Sequence, residues 1–348
     1  MTSDKQPAME EHEMSSPLPV PPAADCWYLT GATAAGKSAV AIELAGRLNA
    51  EIISLDSMAV YEGMDIGTAK PSAEQRAAVP HHLLDVVPPT EDYSLSSYID
   101  AAHEAIAKIR AAGKVPLFVG GTPLYLKSLL RGVYQGPPAD WEFREQIEQE
   151  LHTLPLEALH ERLSVIDPLA AAKLHPHDKR RIVRALEVFR LTGVPLSHQQ
   201  MQFDEGRPAT AMHVFVLQWP REQLHERIQA RVDQMFAAGL VDEVRGLLKR
   251  YGSLSRTACQ AVGYREVLDY LRSLGEVNAD DEHPRPAPMT LADCSERVKI
   301  RTRQFARRQE TWFRSLSECT FVPQVHGKSP LIIADEILAM CSGSATTA

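Results

Sequence analysis

Three observations predict an α/β protein: a parallel sheet containing a phosphate-binding loop (P-loop), flanked by helices, with an all-helical insertion domain. A glycine-rich turn, GATAAGKS at 31–38, separates a short apolar run from a segment of helical spacing. Apolar runs and helical patterns then alternate, which is the pattern of parallel β-α-β units. Residues 137–192, in contrast, carry helix signals and no strand signal.

Taken in order, the chain opens with an acidic, proline-rich stretch over 1–24 that lacks the basic and apolar regions of a signal peptide, so it is expected to be a disordered tail. CWYLT at 26–30 reads as the first strand and KSAVAIELAGRLN as the helix after the loop. EIISLD is the second strand, SSYIDAAHEAIAKIRAAG a helix and VPLFVGG a further strand. Inside 137–192, helix starts fall at Asp140, Asp167-Pro168 and Asp178, each suited to cap a helix N-terminus. HVFVLQW at 213–219 returns to the sheet, helices run to about Leu316, and CTFVP is a last short strand. The expected organisation is a core from 25–136 and 193–325, a helical insertion at 137–192, a flexible acidic and proline-rich insertion at 276–288, and a C-terminal tail at 326–348 with one short helix.

Composition narrows the class. With 348 residues, 44% hydrophobic and 24% charged, the chain can bury a sizeable core. It has no apolar run of about 18 residues to span a membrane. Its five cysteines (Cys26, Cys259, Cys294, Cys319, Cys341) are scattered without metal-ligand spacing, as suits reduced thiols in the cytoplasm. The net charge of −8 argues weakly against a nucleic-acid partner, because 1–25 holds five acids against Lys5 and 276–288 holds four against Arg285. Those two stretches carry nearly all of the excess, and local surfaces decide binding.

The loop matches G-x-x-x-x-G-K-[ST], and each part has a physical task. Gly31 and Gly36 let the backbone turn and approach oxygen atoms, with Ala32, Thr33, Ala34 and Ala35 between them. The amides and the helix N-terminus face an anion, Lys37 reaches a terminal phosphate, and Ser38 can ligate magnesium. By motif alone the loop is a nucleotide site, ATP included. A nucleoside-triphosphate hydrolase would usually add a later strand ending in Asp. Here the later strand ends in Gly120, Gly121 and Thr122, while EIISLDS delivers Asp56 and Ser57. Carboxyl ends of neighbouring strands share one crevice, so Asp56 and Thr122 are both expected to face the loop. Asp56 is compatible with organising magnesium or with acting as a general base, and Thr122 with a ligand contact or a plain turn.

Two helices concentrate positive charge. In HDKRRIVRALEVF, Arg180, Arg181 and Arg184 fall within about 100° on a helical wheel, opposite Ile182, Leu186 and Phe189. In 297–314, seven basic residues meet only Glu310 within the stretch and Glu296 before it, and Val298, Phe305 and Trp312 recur every seventh residue as an expected docking stripe. Such a helix suits a phosphate backbone. Tyr264, in ACQAVGYRE, is compatible with base stacking or with half-buried structure.

Together these motifs resemble one family, the bacterial tRNA dimethylallyltransferases or isopentenyltransferases. GATAAGKS, ISLDSMAVYEGMDIGTAKP, HHLLD, LFVGGTPLY, DPLAAAKLHPHDKRRIVRALEV, VGYRE and RRQETWFR occur in the family's order and spacing over about residues 26–316. The resemblance implies transfer of a dimethylallyl group from its diphosphate to the exocyclic amino nitrogen of the adenosine 3′ of the anticodon, with magnesium and release of pyrophosphate. It implies that Asp56 is the general base, that Thr122 is a hydroxyl near the reacting groups, and that Thr33 touches substrate. Its tRNA contacts carry over to Asp56, Ser57, Met58, Ala59, Thr122, Arg144, Arg180, Arg181, Ile182, Val183, Arg184, Gln260, Ala261, Val262, Gly263, Tyr264 and Arg265. They also carry over to Arg307, Arg308, Gln309, Glu310, Thr311, Trp312, Phe313 and Arg314. The protein departs from the family with Lys179-Arg180 where Pro-Gln is frequent and Gln260-Ala261 where Arg-Cys is common. A cytoplasmic monomer without membrane contact is expected. The competing reading is a small-molecule or nucleotide kinase using the same loop, and a third is an RNA-binding module with a nucleotide switch. The Gly-Gly-Thr strand end and the second basic helix are features that a small-substrate kinase does not need.

Overall fold

The structure is a computed structural model that describes residues 23, 25–132, 136–199, 206–278 and 286–343. Most of the expected tail at 1–24 and the centre of the 276–288 insertion lie outside those residues.

Six parallel strands form one sheet, ordered β3-β2-β4-β1-β5-β6. They are β1 (Trp27–Gly31), β2 (Ala50–Leu55), β3 (His81–His82), β4 (Val115–Gly120), β5 (His213–Gln218) and β6 (Thr320–Pro323). Every connection therefore crosses over through helices, which explains why the strands read as continuous apolar runs: both faces are covered. The two-residue β3, in HHLLD, has no strand signal of its own and exists by pairing with Ile52 and Ile53.

Helix α1 (Lys37–Leu48) starts directly after Gly36, whose φ of 91° favours glycine. It buries Val40, Ala41, Leu44 and Ala45 against the sheet. Helices α2 (Ala73–Ala78), α3 (Leu95–Ala111) and α4 (Pro123–Arg131) complete the first half of this unit. Helices α10 (Arg221–Ala237), α11 (Leu240–Tyr251), α12 (Arg256–Cys259), α13 (Tyr264–Leu274) and α14 (Leu291–Arg314) follow β5. The C-terminal stretch is more than a tail with a short helix. Helix α15 (Pro330–Gly343) runs 14 residues and buries Ile333, Ala334 and Ile337 in the core beside α1.

A separate compact unit spans Gly132–Asp204 and, among its described residues, is wholly helical. It contains α5 (Trp141–Glu150), α6 (Leu156–Ile166), α7 (Pro168–Lys173), α8 (Lys179–Thr192) and α9 (Leu196–Gln199). The expected caps are in place: Asp140, Asp167 and Asp178 accept hydrogen bonds from the amides of Phe143, Ala170 and Arg181. Phe143, Ile147, Leu159, Leu163, Ile182 and Leu186 form its core.

Candidate active site

The phosphate loop emerges at the carboxyl end of β1, where β2, β4 and β5 also end. Its path is held from behind by three side chains, of which only Gln309 was among the site residues expected from the sequence. Trp219 donates its indole N–H to the Ala35 carbonyl at 2.9 Å, and Arg227 donates from Nε to the Ala34 carbonyl at 2.8 Å. Arg227 also stacks over the Trp219 ring, 4.3 Å from its centroid. Gln309, 3% exposed, accepts from the Thr33 amide at 2.9 Å and donates to the Gly121 carbonyl.

In front of the loop lies a cavity of about 610 Å³ lined by Thr33, Lys37, Ser38, Ser54, Asp56, Arg227 and Arg231, among others. Lys37 donates to the Gly31 and Ala32 carbonyls at 3.0 and 2.8 Å. An ammonium has three donors, so one remains for a ligand. Burial, with the Arg231 cation adding to it and Asp56 opposing, pushes the Lys37 pKa down to about 7. Burial also lowers the pKa of Arg231, and Asp56 again opposes the shift. Lys37, Arg227, Arg231 and Lys70 thus share a partly enclosed space with the Asp56 carboxylate, a field suited to a polyanion.

Asp56 is fixed by its own turn. Its Oδ1 accepts from the Met58 and Ala59 amides at 2.8 and 3.4 Å, while Oδ2 has no hydrogen-bond partner among the described residues. Thr122 braces that turn. Its Oγ1 accepts from the Ser57 amide at 3.0 Å, and its own amide donates to the Leu55 carbonyl. Ser38 is exposed on the first turn of α1 and lines the cavity with Asp56. A hydroxyl, a carboxylate and the oxygens of a bound diphosphate are the hard donors magnesium takes, so these residues fit that ion.

The remaining sequence-derived residues divide by burial. Arg180, Arg181, Gln260, Arg265, Arg307, Arg308, Thr311, Trp312 and Arg314 are exposed, whereas Ser57, Met58, Val262 and Glu310 are partly so. Ala59, Ile182, Val183, Ala261, Tyr264, Gln309 and Phe313 are buried, and their side chains serve packing or internal hydrogen bonds. Gly263 is buried as the N-cap of α13. Tyr264 does not stand free to stack on a base, since it is wholly buried with its hydroxyl on Glu243. Arg144 and Arg184 both bind the buried Glu187.

The docking stripe of α14 also differs from expectation. Cys294, Val298, Thr302, Ala306, Gln309 and Phe313 are buried, while Trp312 is 41% exposed. A straight helix advances 3.6 residues per turn, so its buried face follows steps of three and four and drifts away from a strict seven-residue series. Phe305, on the flank of that stripe, lines the cavity instead. Arg227, Arg231, Trp219 and the loop-holding role of Gln309 were not found from the sequence. The signal available was an Arg-x-x-x-Arg spacing on α10, which puts two cations on one face.

Comparison with known proteins gives a consistent answer. A family model described as IPP transferase matches residues 59–316, and one described as isopentenyl transferase matches 24–85. A tRNA dimethylallyltransferase of Rhodopirellula baltica is 49% identical over 302 residues, covering 84% of this chain and 86% of the relative. That of Geobacter metallireducens is 46% identical over 295 residues, covering 84% and 90%. Among solved structures, the full-length tRNA isopentenylpyrophosphate transferase of Bacillus halodurans superposes with a TM-score of 0.62 at 36% identity, over 92% of this chain and 97% of that one. A eukaryotic dimethylallyltransferase described as acting on tRNA superposes with a TM-score of 0.66 at 28% identity, over 86% and 73%.

Proposed function

The chain belongs to the IPP transferase family, and from that premise we infer that it is a tRNA prenyltransferase. Its donor is dimethylallyl diphosphate, and its acceptor is the exocyclic amino nitrogen of the adenosine 3′ of the anticodon. The observation that carries the reading is that a free carboxylate oxygen of Asp56 and the phosphate loop line the same cavity. A kinase would need the loop but not that base, and the relatives favour prenyl transfer.

The reaction breaks an allylic carbon–oxygen bond and forms a carbon–nitrogen bond, so negative charge grows on the departing pyrophosphate. The loop amides, Lys37, Arg227 and Arg231 stand where that charge develops. A diphosphate beside Lys37 favours its charged form and so reverses the effect of burial. Ser38, with Asp56 nearby, would hold magnesium, which supplies further neutralisation of the diphosphate. The adenine amino group is a weak nucleophile because its lone pair is delocalised into the ring. Asp56 Oδ2 takes the proton it loses as the new bond forms. Thr122 holds the Ser57 amide and thereby the turn that aims Asp56. The adenosine leaves the stacked anticodon loop to enter, which is less costly for an unpaired base.

Arg307, Arg308, Arg314 and Arg180 are the exposed cations we assign to the tRNA backbone. No helix among the described residues is long and apolar enough to cross a membrane. The five free cysteines suit the reducing cytoplasm, where we place the enzyme.

The test supplies unmodified tRNA and magnesium with either dimethylallyl diphosphate or ATP, then weighs the nucleosides by mass spectrometry. One five-carbon unit gained on adenosine without ATP is expected; ATP consumption on a small acceptor with no such gain would restore the kinase reading. Asp56→Ala is expected to slow transfer by about 10²–10⁴-fold with pyrophosphate binding retained. Full transfer by that variant would remove Asp56 from the role of base.

A further inference from the structure

The family resemblance puts Gln309 among the tRNA contacts, but its burial rules out a surface role. Its two hydrogen bonds reach the phosphate loop on one side and the end of β4 on the other. An amide N–H of Thr33 can only donate and the Gly121 carbonyl can only accept, so the orientation of the carboxamide is fixed. The fit is close. A Cβ on Gly121 would stand 2.5 Å from Gln309 Nε2, so any larger residue there would displace the Gln309 carboxamide. One turn earlier on the same helix, Phe305 lines the cavity beside Gln309. On the outer surface of those same two turns, Arg307 and Arg308 are exposed and form no ion pair with any described residue.

A helix is stiff over two turns, so anything that draws on the outer cations acts on Gln309 as well. We propose that Gln309 is a positioning residue, through which contact of tRNA with α14 sets the affinity of the phosphate loop for the prenyl diphosphate. The inference rests on the tRNA prenyltransferase reading and extends it. Thermodynamic linkage then requires the effect to be mutual: diphosphate tightens tRNA by the same factor that tRNA tightens diphosphate. Nothing is transferred through Gln309. It holds the Thr33 amide, and with it the path of the loop toward Lys37.

The experiment titrates pyrophosphate by calorimetry into wild-type protein and Gln309→Met, each alone and with an unmodified anticodon stem-loop RNA. In wild type the RNA is expected to tighten pyrophosphate about fivefold or more, within the usual range of coupling between sites. In Gln309→Met that factor falls to near one, and KM for dimethylallyl diphosphate rises about tenfold, with a smaller change in kcat. A merely structural role would lower stability without removing the coupling. Equal enhancement by RNA in both proteins overturns the proposal, and so does its absence in wild type. If Gln309→Met does not fold, Gln309→Glu carries the same test, since it keeps an acceptor for Thr33 but sets a carboxylate against the Gly121 carbonyl. Prenyl transfer to full-length tRNA by the same wild-type preparation tests the underlying function separately.

Discussion

Helices α8 and α14 look alike in sequence, because each lines up arginines beside an apolar face, yet the structure gives their charges different work. In α8, Arg184 donates to Glu187 and to the Pro137 carbonyl, and Arg144 from α5 grips the same carboxylate from Nε and Nη2 at 2.7 and 2.9 Å. Glu187 is wholly buried, so these cations are counter-charges of a polar core, and the arginines of α8 that face outward are Arg180, Arg181 and Arg190. In α14 the pairing is mostly peripheral: Lys299 with Asp233, Arg303 with Glu296 and Arg314 with Glu310, while Arg301 alone of these reaches a buried acid, Glu266, at 4.0 Å. Arg307 and Arg308 have no such partner among the described residues. What separates a binding helix from a buried ionic cluster is the location of the acid, which a count of arginines does not reveal.

The largest expected effect falls on the buried cluster. Glu187→Ala leaves two guanidinium groups and the Asp140 amide without their acceptor, and is expected to destabilise the helical unit by about 3–5 kcal/mol. Urea denaturation monitored by circular dichroism would measure it. Burial alone would raise the Glu187 pKa, but hydrogen bonds from Arg144 and Arg184 outweigh it and hold the carboxyl below its ordinary 4.5. The folded value is depressed, so the contribution is full above pH 4.5 and is lost as the pH falls through the lowered value. Unfolding of this unit should therefore shift to lower urea on acidification in wild type, and the shift should shrink in Glu187→Gln.

The next effect sharpens the contrast. Reversing both Arg307 and Arg308 to Glu should weaken tRNA binding by about tenfold or more and reduce its logarithmic salt dependence by about one for each phosphate that is no longer neutralised. Filter binding across a salt series would show it. Arg144→Ala should instead lower the melting temperature with less change in tRNA affinity. If Arg144→Ala and the α14 reversal weaken tRNA equally without loss of stability, the distinction between the two helices fails. Arg180→Glu should lie between them, at a few-fold in affinity and little in stability, since it is an exposed charge without a buried acceptor.

Much of this was legible in the sequence, because the informative signals are local. The glycines of the loop, the aspartate caps of α5, α7 and α8, and the apolar strands are dictated by nearest neighbours. The strand order was not legible, nor was β3, whose two histidines pair only because β2 is already there. The back of the phosphate loop was hidden for the same reason. Trp219, Arg227 and Gln309 lie 184, 193 and 276 residues from the loop atoms they hold. The docking face of α14 was misassigned because a seven-residue recurrence happens to place Trp312 in register with Val298, whereas the helix buries Phe313.

The smallest expected effect concerns two aromatic residues, Tyr264 and Trp312, that the sequence treats alike as candidates to meet RNA. Tyr264 is buried, and its hydroxyl donates to Glu243 Oε1. The same carboxylate accepts from the amides of Asp65, Ile66 and Gly67, so it caps the loop leading to Thr68 and Lys70 at the cavity wall. Tyr264→Phe removes one donor and leaves the carboxylate its backbone partners, which is expected to cost about 1 kcal/mol in thermal unfolding. Affinity for tRNA should not change, and KM for the prenyl diphosphate should rise at most slightly. Trp312→Ala should do the reverse, weakening tRNA while leaving stability nearly intact, because 41% of that residue is open to solvent. A loss of tRNA affinity in Tyr264→Phe at unchanged melting temperature would return that tyrosine to the RNA surface.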